Sequence, residues 1–560
     1  MLAYLLYGLR LLVRAPGNLV RRLRRPPEYV VFTLEGPYRP LRPPRAPFWQ
    51  RVVTPTVNSL QDLADQVRTV RDEPRVKGVV LHLRNLQLSP SRELAHLQTI
   101  RDLVEDLKGA GKRVIAWSTG YDTARYFVAS AAHEVLLQPG GLISPLGVAQ
   151  SYLFLKDALA RVGLEGDFLQ VSPYKSAMDV LVRREMSPEH REMVTWLVEA
   201  AHGELARAIA AGRNISEADA RALMDHSPYT DTAAKQARVV DGVMGEEDLP
   251  AYLGQARRPA RLALWEVAQR RVRRRPLPRP GRFIALIRIE GEIVDGSSQR
   301  PPFHPPVPIP FLATERTGDL SVVQAARATT AMRRAAAVVV AIDSPGGSAS
   351  ASEAIAAALE NVATRKPLVV SMGGLAGSGG YYVSLPARWI MAQPGTLTGS
   401  IGVIMGKLVN ARLLDVVGAH REAVSRGLHI EMEEAAKPYT DEERALVRKG
   451  MLRIYEVFKE RVMKARRLSA DRLEPIAGGR VFTGRQAREN GLVDELGGLN
   501  AAIRRACEFA GLDEGAPVRE IAVRQRRLAP IPQPAGALEY ALQGLAMLDG
   551  ATPLCLMPIA

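Results

Sequence analysis

In the stretch GLAGSGGYYVSLPA (374–387) a single serine, Ser378, stands between Gly377 and Gly379 and runs at once into an apolar, helix-like segment. A hydroxyl at the head of a helix, followed by a glycine N–H, is the arrangement of a nucleophile beside an anion-stabilising donor. A second glycine turn, in DSPGGSASAS (343–352), follows the β-rich run AVVVAID. Gly346 and Gly347 let the backbone turn tightly there, so that the Gly347 N–H can point into a pocket. Gly347 and Gly379 then supply two backbone donors next to one hydroxyl, which describes an oxyanion hole. Spacing alone leaves phosphate binding open, because glycine turns ahead of helices also cradle phosphates.

A serine nucleophile needs a proton acceptor, most often histidine. The histidines of this half are His304 in a Pro-rich insertion, His420 and His429. None sits in a setting that suggests a triad, and His420 and His429 stay open. A lysine base is the alternative. It must be uncharged to work, so burial or a positive field must lower its pKa from about 10.4. Lys175, in FLQVSPYKSAMDV (168–180), follows an apolar strand-like run and is the candidate. On its own it reads more readily as a solvated surface lysine.

The elements that must position these residues come in two copies. RYFVASAAHEVLLQPGGLISPLGV (125–148) matches GYYVSLPARWIMAQPGTLTGSIGV (380–403) without a gap at an offset of 255, and the same offset lays TLEG (33–36) on RIEG (288–291). The chain is an internal duplication. Five segments follow: 1–26, a basic amphipathic N-terminal segment; 27–260, the first repeat; 261–281, an Arg/Pro-rich linker; 282–512, the second repeat; and 513–560, a tail with no function read from it. Within each repeat, short β-rich runs alternate with Ala/Leu/Glu-rich helical segments, which argues a mostly parallel sheet covered by helices, an α/β fold. Working residues in such sheets sit where strands end and helices begin.

The first repeat serves as an internal control. Ser378 corresponds there to Thr123, GSGG to DTAR, and the DSPGG turn is replaced by the glycine-free RNLQLSP. A purely architectural role would apply to both copies, so restriction of the glycine turns to one favours chemistry. Aligning SPEHR (187–191) with TDEER (440–444) sets Leu428 where Lys175 stands. The serine is in one copy and the lysine in the other.

Composition bounds the rest. The 560 residues carry 75 Lys+Arg against 59 Asp+Glu, a net charge of +16 that favours an acidic partner such as anionic lipid or nucleic acid. No aromatic-interleaved basic motif appears, so nucleic acid is not expected as a partner. Two cysteines, Cys507 and Cys555, build neither a disulfide framework nor a Cys-based zinc site. The N-terminal MLAYLLYGLRLLVRAPGNLVRRLRRPP is apolar to about Val13 and then basic, short of the roughly 20 residues that cross a bilayer. Its charge follows its apolar part, the reverse of a signal peptide. It reads as a basic amphipathic anchor on an anionic membrane surface.

DSPGGSASASEAI, KPLVVSMGGLAGSGGYYVSLPA, TLTGSIGVI and VSPYKSAMD together resemble the signal peptide peptidase A family, also called protease IV, in its long duplicated form. The resemblance runs from about residue 28 to residue 512. It implies a tandem duplication of a Clp protease/crotonase-like domain and a Ser–Lys dyad, with Ser378 as nucleophile and Lys175 as general base. It further implies that Ser400 hydrogen-bonds the lysine, and that Gly347 and Gly379 form the oxyanion hole. Ser400 has Pro145 as its first-repeat counterpart. Neither metal nor cofactor is needed. Substrates would be cleaved signal peptides and other unfolded hydrophobic peptides at the membrane, the bacterial inner membrane by resemblance, and the assembly a homo-oligomer, a tetramer. One departure is plain: long-form relatives carry an N-terminal membrane span, and this chain offers a short, Arg-interrupted segment. The rival readings are a crotonase-type acyl-CoA enzyme, which would need neither Ser378 nor Lys175, and a non-catalytic membrane scaffold.

Overall fold

The computed structural model describes residues 2–43, 58–255, 257–275, 280–300, 315–521, 525–527 and 554–555. His304 and most of the tail after 521 lie outside the described residues. Contacts divide the chain into two compact units, one of residues 1–149 and 198–281, the other of residues 150–197 and 282–560.

The first unit is built on a seven-stranded sheet whose strands run in the order Leu262–Leu264, Tyr29–Gly36, Gly78–Leu86, Arg113–Tyr121, Glu134–Ile143 and Tyr229–Thr230, with Gly242–Val243 also on Glu134–Ile143. All of these pairings are parallel except the last on the main path. The second unit repeats this plan on an eight-stranded sheet. Its order is Val518–Glu520, Phe283–Glu290, Ala335–Ser344, Leu368–Gly377, Leu397–Gly399 and Val481–Thr483, with Trp389–Ala392 beside Leu368–Gly377 and Glu495–Leu496 beyond it. The tandem α/β duplication expected from the sequence is therefore present in the topology.

Local reasons are legible in the second unit. AAAVVVAIDS is apolar without alternation because both faces of strand Ala335–Ser344 are covered; all but one of its residues are buried. The helix Ala349–Ala363 starts where the Ser348 hydroxyl accepts the Ala351 N–H, and it buries Ala351, Ile355, Leu359 and Val362 along one stripe. Its core is one continuous cluster that also takes in Ile287, Val340, Val370, Tyr381 and Phe458.

A further eight-stranded sheet lies in the second unit, where the first unit has the two-stranded parallel pairing of Tyr38–Arg39 with Asn58–Ser59. Its order is Gln525–Arg527, Ser298–Arg300, Arg316–Gly318, Glu292–Val294, Gly347–Ser348, Leu554–Cys555, Ile404–Val409 and Glu165–Gln170. The last pair is antiparallel from Gln170 opposite Ile404 to Glu165 opposite Val409. This strand brings the segment that carries Lys175 into the unit that carries Ser378.

At the N-terminus, Leu2–Leu23 forms a helix with Pro16 inside it. Leu9, Leu12, Leu19 and Leu23 are exposed on it. The Arg75 guanidinium donates to the carbonyls of Arg21, Arg22 and Arg24 at its C-terminal end. Among the described residues no helix is long and apolar enough to cross a membrane.

Candidate active site

Two neighbouring parallel strands end in register, with Gly377 opposite Gly399. The next residue on each is a serine with positive φ: Ser378 at 53° and Ser400 at 53°. Ser378 has ψ −114°, a backbone setting that costs a non-glycine residue on the order of 1–3 kcal/mol. It is held by its N–H donating to Gly399 O at 2.8 Å and by its carbonyl accepting the Tyr382 N–H at 2.8 Å. The second bond opens the helix Gly379–Tyr382. Ser400 is pinned by its N–H donating to Arg480 O at 2.7 Å.

Lys175 reaches both. Its Nζ lies 2.8 Å from Ser378 Oγ, 2.9 Å from Ser400 Oγ and 2.9 Å from Ser400 O. All three residues are 0% exposed, so the cluster is cut off from bulk water. The structure thus brings together Lys175, Ser378 and Ser400. His420 is exposed and His429 half-buried beyond helix Ala411–Val416, and neither is a partner of the Ser378 hydroxyl among the described residues. Leu428, opposite Lys175 in the repeat alignment, is exposed.

The two glycines expected to donate also meet. A Cβ added to Gly379 would lie 3.2 Å from the Gly347 N and 2.6 Å from Ser352 Oγ, so the two turns pack backbone against backbone. Gly347 has φ 153°, and a Cβ there would stand 2.0 Å from Ile293 O. Only glycine fits. The turn before it is fixed by Ser344, whose hydroxyl donates to Gly291 O at 2.6 Å and accepts the Gly346 N–H at 3.1 Å.

Several supporting residues escape a reading of the sequence. Gly479, with φ 89°, lies against the lysine backbone: a Cβ there would be 2.6 Å from Lys175 Cβ and 2.7 Å from its Cα. The Gly479 N–H donates to Ile401 O at 2.8 Å, and the Ser172 hydroxyl donates to Gly478 O. The turn 478–480 is therefore a clamp between the lysine segment and the Ser400 loop. Arg480 lies over the Tyr174 ring at 3.9 Å, Tyr174 stacks on Trp196 and Trp196 on Phe482, and Trp196 Nε1 donates to Val481 O. The one visible signal was the glycine pair in IAGGRVF (476–482). Asp343, whose carboxylate accepts the N–H groups of Leu375 and Gly374, ties the DSPGG turn to the serine strand, and burial pushes its pKa up to about 6.

The first unit lacks this strain. Thr123 opens helix Thr123–Ala129 behind an ordinary Asp122 cap, and its hydroxyl accepts the Gly147 N–H at 3.0 Å. Neither Thr123 nor Pro145 has positive φ.

A duplicated α/β scaffold thus holds a strained, buried serine against a lysine amine, with two glycine turns packed beside it, an arrangement compatible with a serine hydrolase. The model of peptidase family S49 matches the chain twice, at residues 106–258 and 360–513. Protease 4 of Salmonella typhi is 31% identical over 479 residues, covering 82% of this chain and 73% of the relative. Protease 4 of Haemophilus influenzae is 30% identical, covering 82% and 75%. The chloroplastic serine protease SPPA of Arabidopsis thaliana is 27% identical, covering 81% and 66%. This chain belongs to peptidase family S49 and is a serine protease. The acyl-CoA and scaffold readings find no support among these relatives.

Proposed function

We propose that this serine protease uses Ser378 as its nucleophile and Lys175 as its general base, and that it cleaves unfolded apolar peptides, signal-peptide remnants among them, at a membrane surface. The observation that carries the dyad is the 2.8 Å contact between Lys175 Nζ and Ser378 Oγ inside a buried cluster. Ser378 Oγ, Ser400 O and Ser400 Oγ, the oxygens within 2.9 Å of Nζ, carry no formal charge, and a general base acts as the uncharged amine. An uncharged amine has two N–H donors and one lone pair. Donated to Ser400 O and Ser400 Oγ, the two N–H bonds turn the lone pair toward the Ser378 hydroxyl.

In the reaction the lone pair takes the Ser378 proton as Oγ adds to the peptide carbonyl. The oxyanion forms against the N–H groups of Gly347 and Gly379, donors fixed before the substrate arrives. Lys175 then gives the proton to the leaving amine, which departs as the acyl-enzyme forms. Water attacks the ester by the same route in reverse, with its proton going to Lys175, and Ser378 is restored.

The substrate reading draws on a relative named putative signal peptide peptidase SppA, from Enterococcus faecium, 32% identical over 161 residues. The membrane-surface reading draws on helix Leu2–Leu23, with exposed leucines and the basic run Arg21, Arg22, Arg24 and Arg25 after them. Assembly as a homo-oligomer, a tetramer, belongs to the same reading and is tested by light scattering of the purified chain.

The deciding experiment is hydrolysis of an uncharged apolar fluorogenic peptide by wild type, Ser378→Ala and Lys175→Ala, each checked for folding by circular dichroism. Loss of turnover in both variants supports the dyad. Full activity in Lys175→Ala puts the base elsewhere.

A further inference from the structure

A backbone donor in an oxyanion hole works only if it points at a fixed place before the substrate arrives. The Ser344 hydroxyl holds the turn ahead of Gly347, and a second set of bonds holds the residues after it. Ser348, 4% exposed, opens helix Ala349–Ala363. Its hydroxyl donates to Asp295 Oδ2 at 2.6 Å and accepts the Ala351 N–H at 3.3 Å. The Ser350 hydroxyl donates to the other oxygen, Asp295 Oδ1, at 2.9 Å. One carboxylate thus grips two hydroxyls at the head of the helix that follows the glycine, by charge-assisted bonds roughly twice as strong as neutral ones.

Asp295 is itself anchored. It follows strand Glu292–Val294, in which Ile293 is opposite Gly347 and donates its N–H to Gly346 O at 2.8 Å. The next residue, Gly296, donates its N–H to Asp319 Oδ1 at 2.7 Å, and its carbonyl accepts the Leu320 N–H at 3.0 Å. The same short stretch therefore holds the glycine turn twice, by the Ile293 backbone and by the Asp295 side chain. The first repeat again serves as a control. With GVVLHLR (78–84) laid on AVVVAID (337–343), Ser348 and Ser350 fall on Ser89 and Ser91, whose hydroxyls lie 3.0 Å apart. With TLEG (33–36) laid on RIEG (288–291), Asp295 falls on Pro40. The hydroxyl pair is in both copies, whereas this carboxylate is confined to the copy that carries Ser378.

We propose that Asp295 is a positioning residue for the oxyanion hole: through Ser348 it fixes the direction of the Gly347 N–H and so speeds acylation without adding to peptide binding. The proposal rests on the reading of Ser378 as nucleophile and of Gly347 as an oxyanion donor. Asp295 is exposed, so replacing it empties no core.

The test uses the full chain, with folding checked by circular dichroism. On the uncharged fluorogenic peptide, Asp295→Ala is expected to lower kcat about tenfold with KM unchanged, and Asp295→Asn, which keeps one acceptor oxygen, to recover part of the loss. A peptide aldehyde, whose adduct with Ser378 places an oxygen in the hole, should inhibit Asp295→Ala about tenfold less tightly, while the matching peptide alcohol binds as in wild type. Unchanged kcat and aldehyde affinity in Asp295→Ala overturn the proposal, as does an equal loss for aldehyde and alcohol, which marks general damage to the site. Absence of Ser378-dependent turnover in wild type overturns the peptidase reading first; failure confined to the Asp295 variants overturns this proposal alone.

Discussion

Ser378 and Ser400 follow the paired residues Gly377 and Gly399 on adjacent parallel strands, both in left-handed backbone conformations, and Lys175 Nζ lies within 2.9 Å of the hydroxyl of each. The amine is thus aimed by two chain reversals that the sheet itself holds in register. On the dyad reading, Ser400 is a positioning residue for the base.

Ser400→Ala should therefore lower kcat by about 10- to 100-fold and leave KM nearly unchanged, since it removes one hydrogen bond that orients the amine. Ser400→Thr, which keeps the hydroxyl, should recover part of the loss. Equal losses in both variants would assign Ser400 to packing alone.

Gly479→Ala should cost about 100-fold or more in kcat, because the added methyl meets Lys175 at 2.6 Å and displaces it by a fraction of an ångström. Peptide hydrolysis and thermal unfolding measured together separate this from global damage: a folded protein with lost turnover is the expected result.

Gly347→Ala should lower kcat by on the order of 10²–10³, as expected for loss of an oxyanion donor, because its methyl would collide with Ile293 O at 2.0 Å and swing the N–H away. Burst kinetics with an activated ester should show acylation as the affected step.

Asp343 carries a pH signature. Its folded pKa, pushed up to about 6 by burial, lies above the ordinary 3.8. Between those values the folded state holds a proton that the unfolded state has released, so stability falls as pH rises from about 4 to about 6. The melting temperature of Asp343→Asn, compared with wild type across that window, should lack this component, and the difference should be largest above pH 6. Parallel melting curves at every pH would contradict the assignment.

Leu9→Asp/Leu12→Asp should weaken sedimentation with vesicles containing phosphatidylglycerol by about tenfold or more, without changing peptide turnover in solution, because both side chains are exposed on helix Leu2–Leu23. Unchanged binding would remove the helix from the membrane reading.

Much of the fold was legible in the sequence because strands buried on both faces, such as AVVVAID and PLVVSM, announce themselves as apolar runs and recur at a fixed offset. Ser378, Gly347 and Gly379 were legible because backbone conformations that need glycine leave a local mark. Lys175 was not legible from its own neighbours, since its setting is made by residues more than 200 positions away. Gly479 was missed for the same reason, being defined by the approach of Lys175, and Asp343 because the N–H groups it accepts lie on the next strand. A repeat in sequence also differs from a unit in packing. The first repeat was drawn as 27–260, whereas residues 150–197 pack in the unit that holds Ser378.

That placement has a consequence for how the chain is made. Lys175 emerges from the ribosome 203 residues ahead of Ser378, and Gly479 follows later still. Until all three have been synthesised and the strand Glu165–Gln170 has found Ile404–Val409, no amine faces the serine. On the dyad reading, a half-made chain is chemically silent, so the order of synthesis performs the service that a removable pro-segment performs in other proteases.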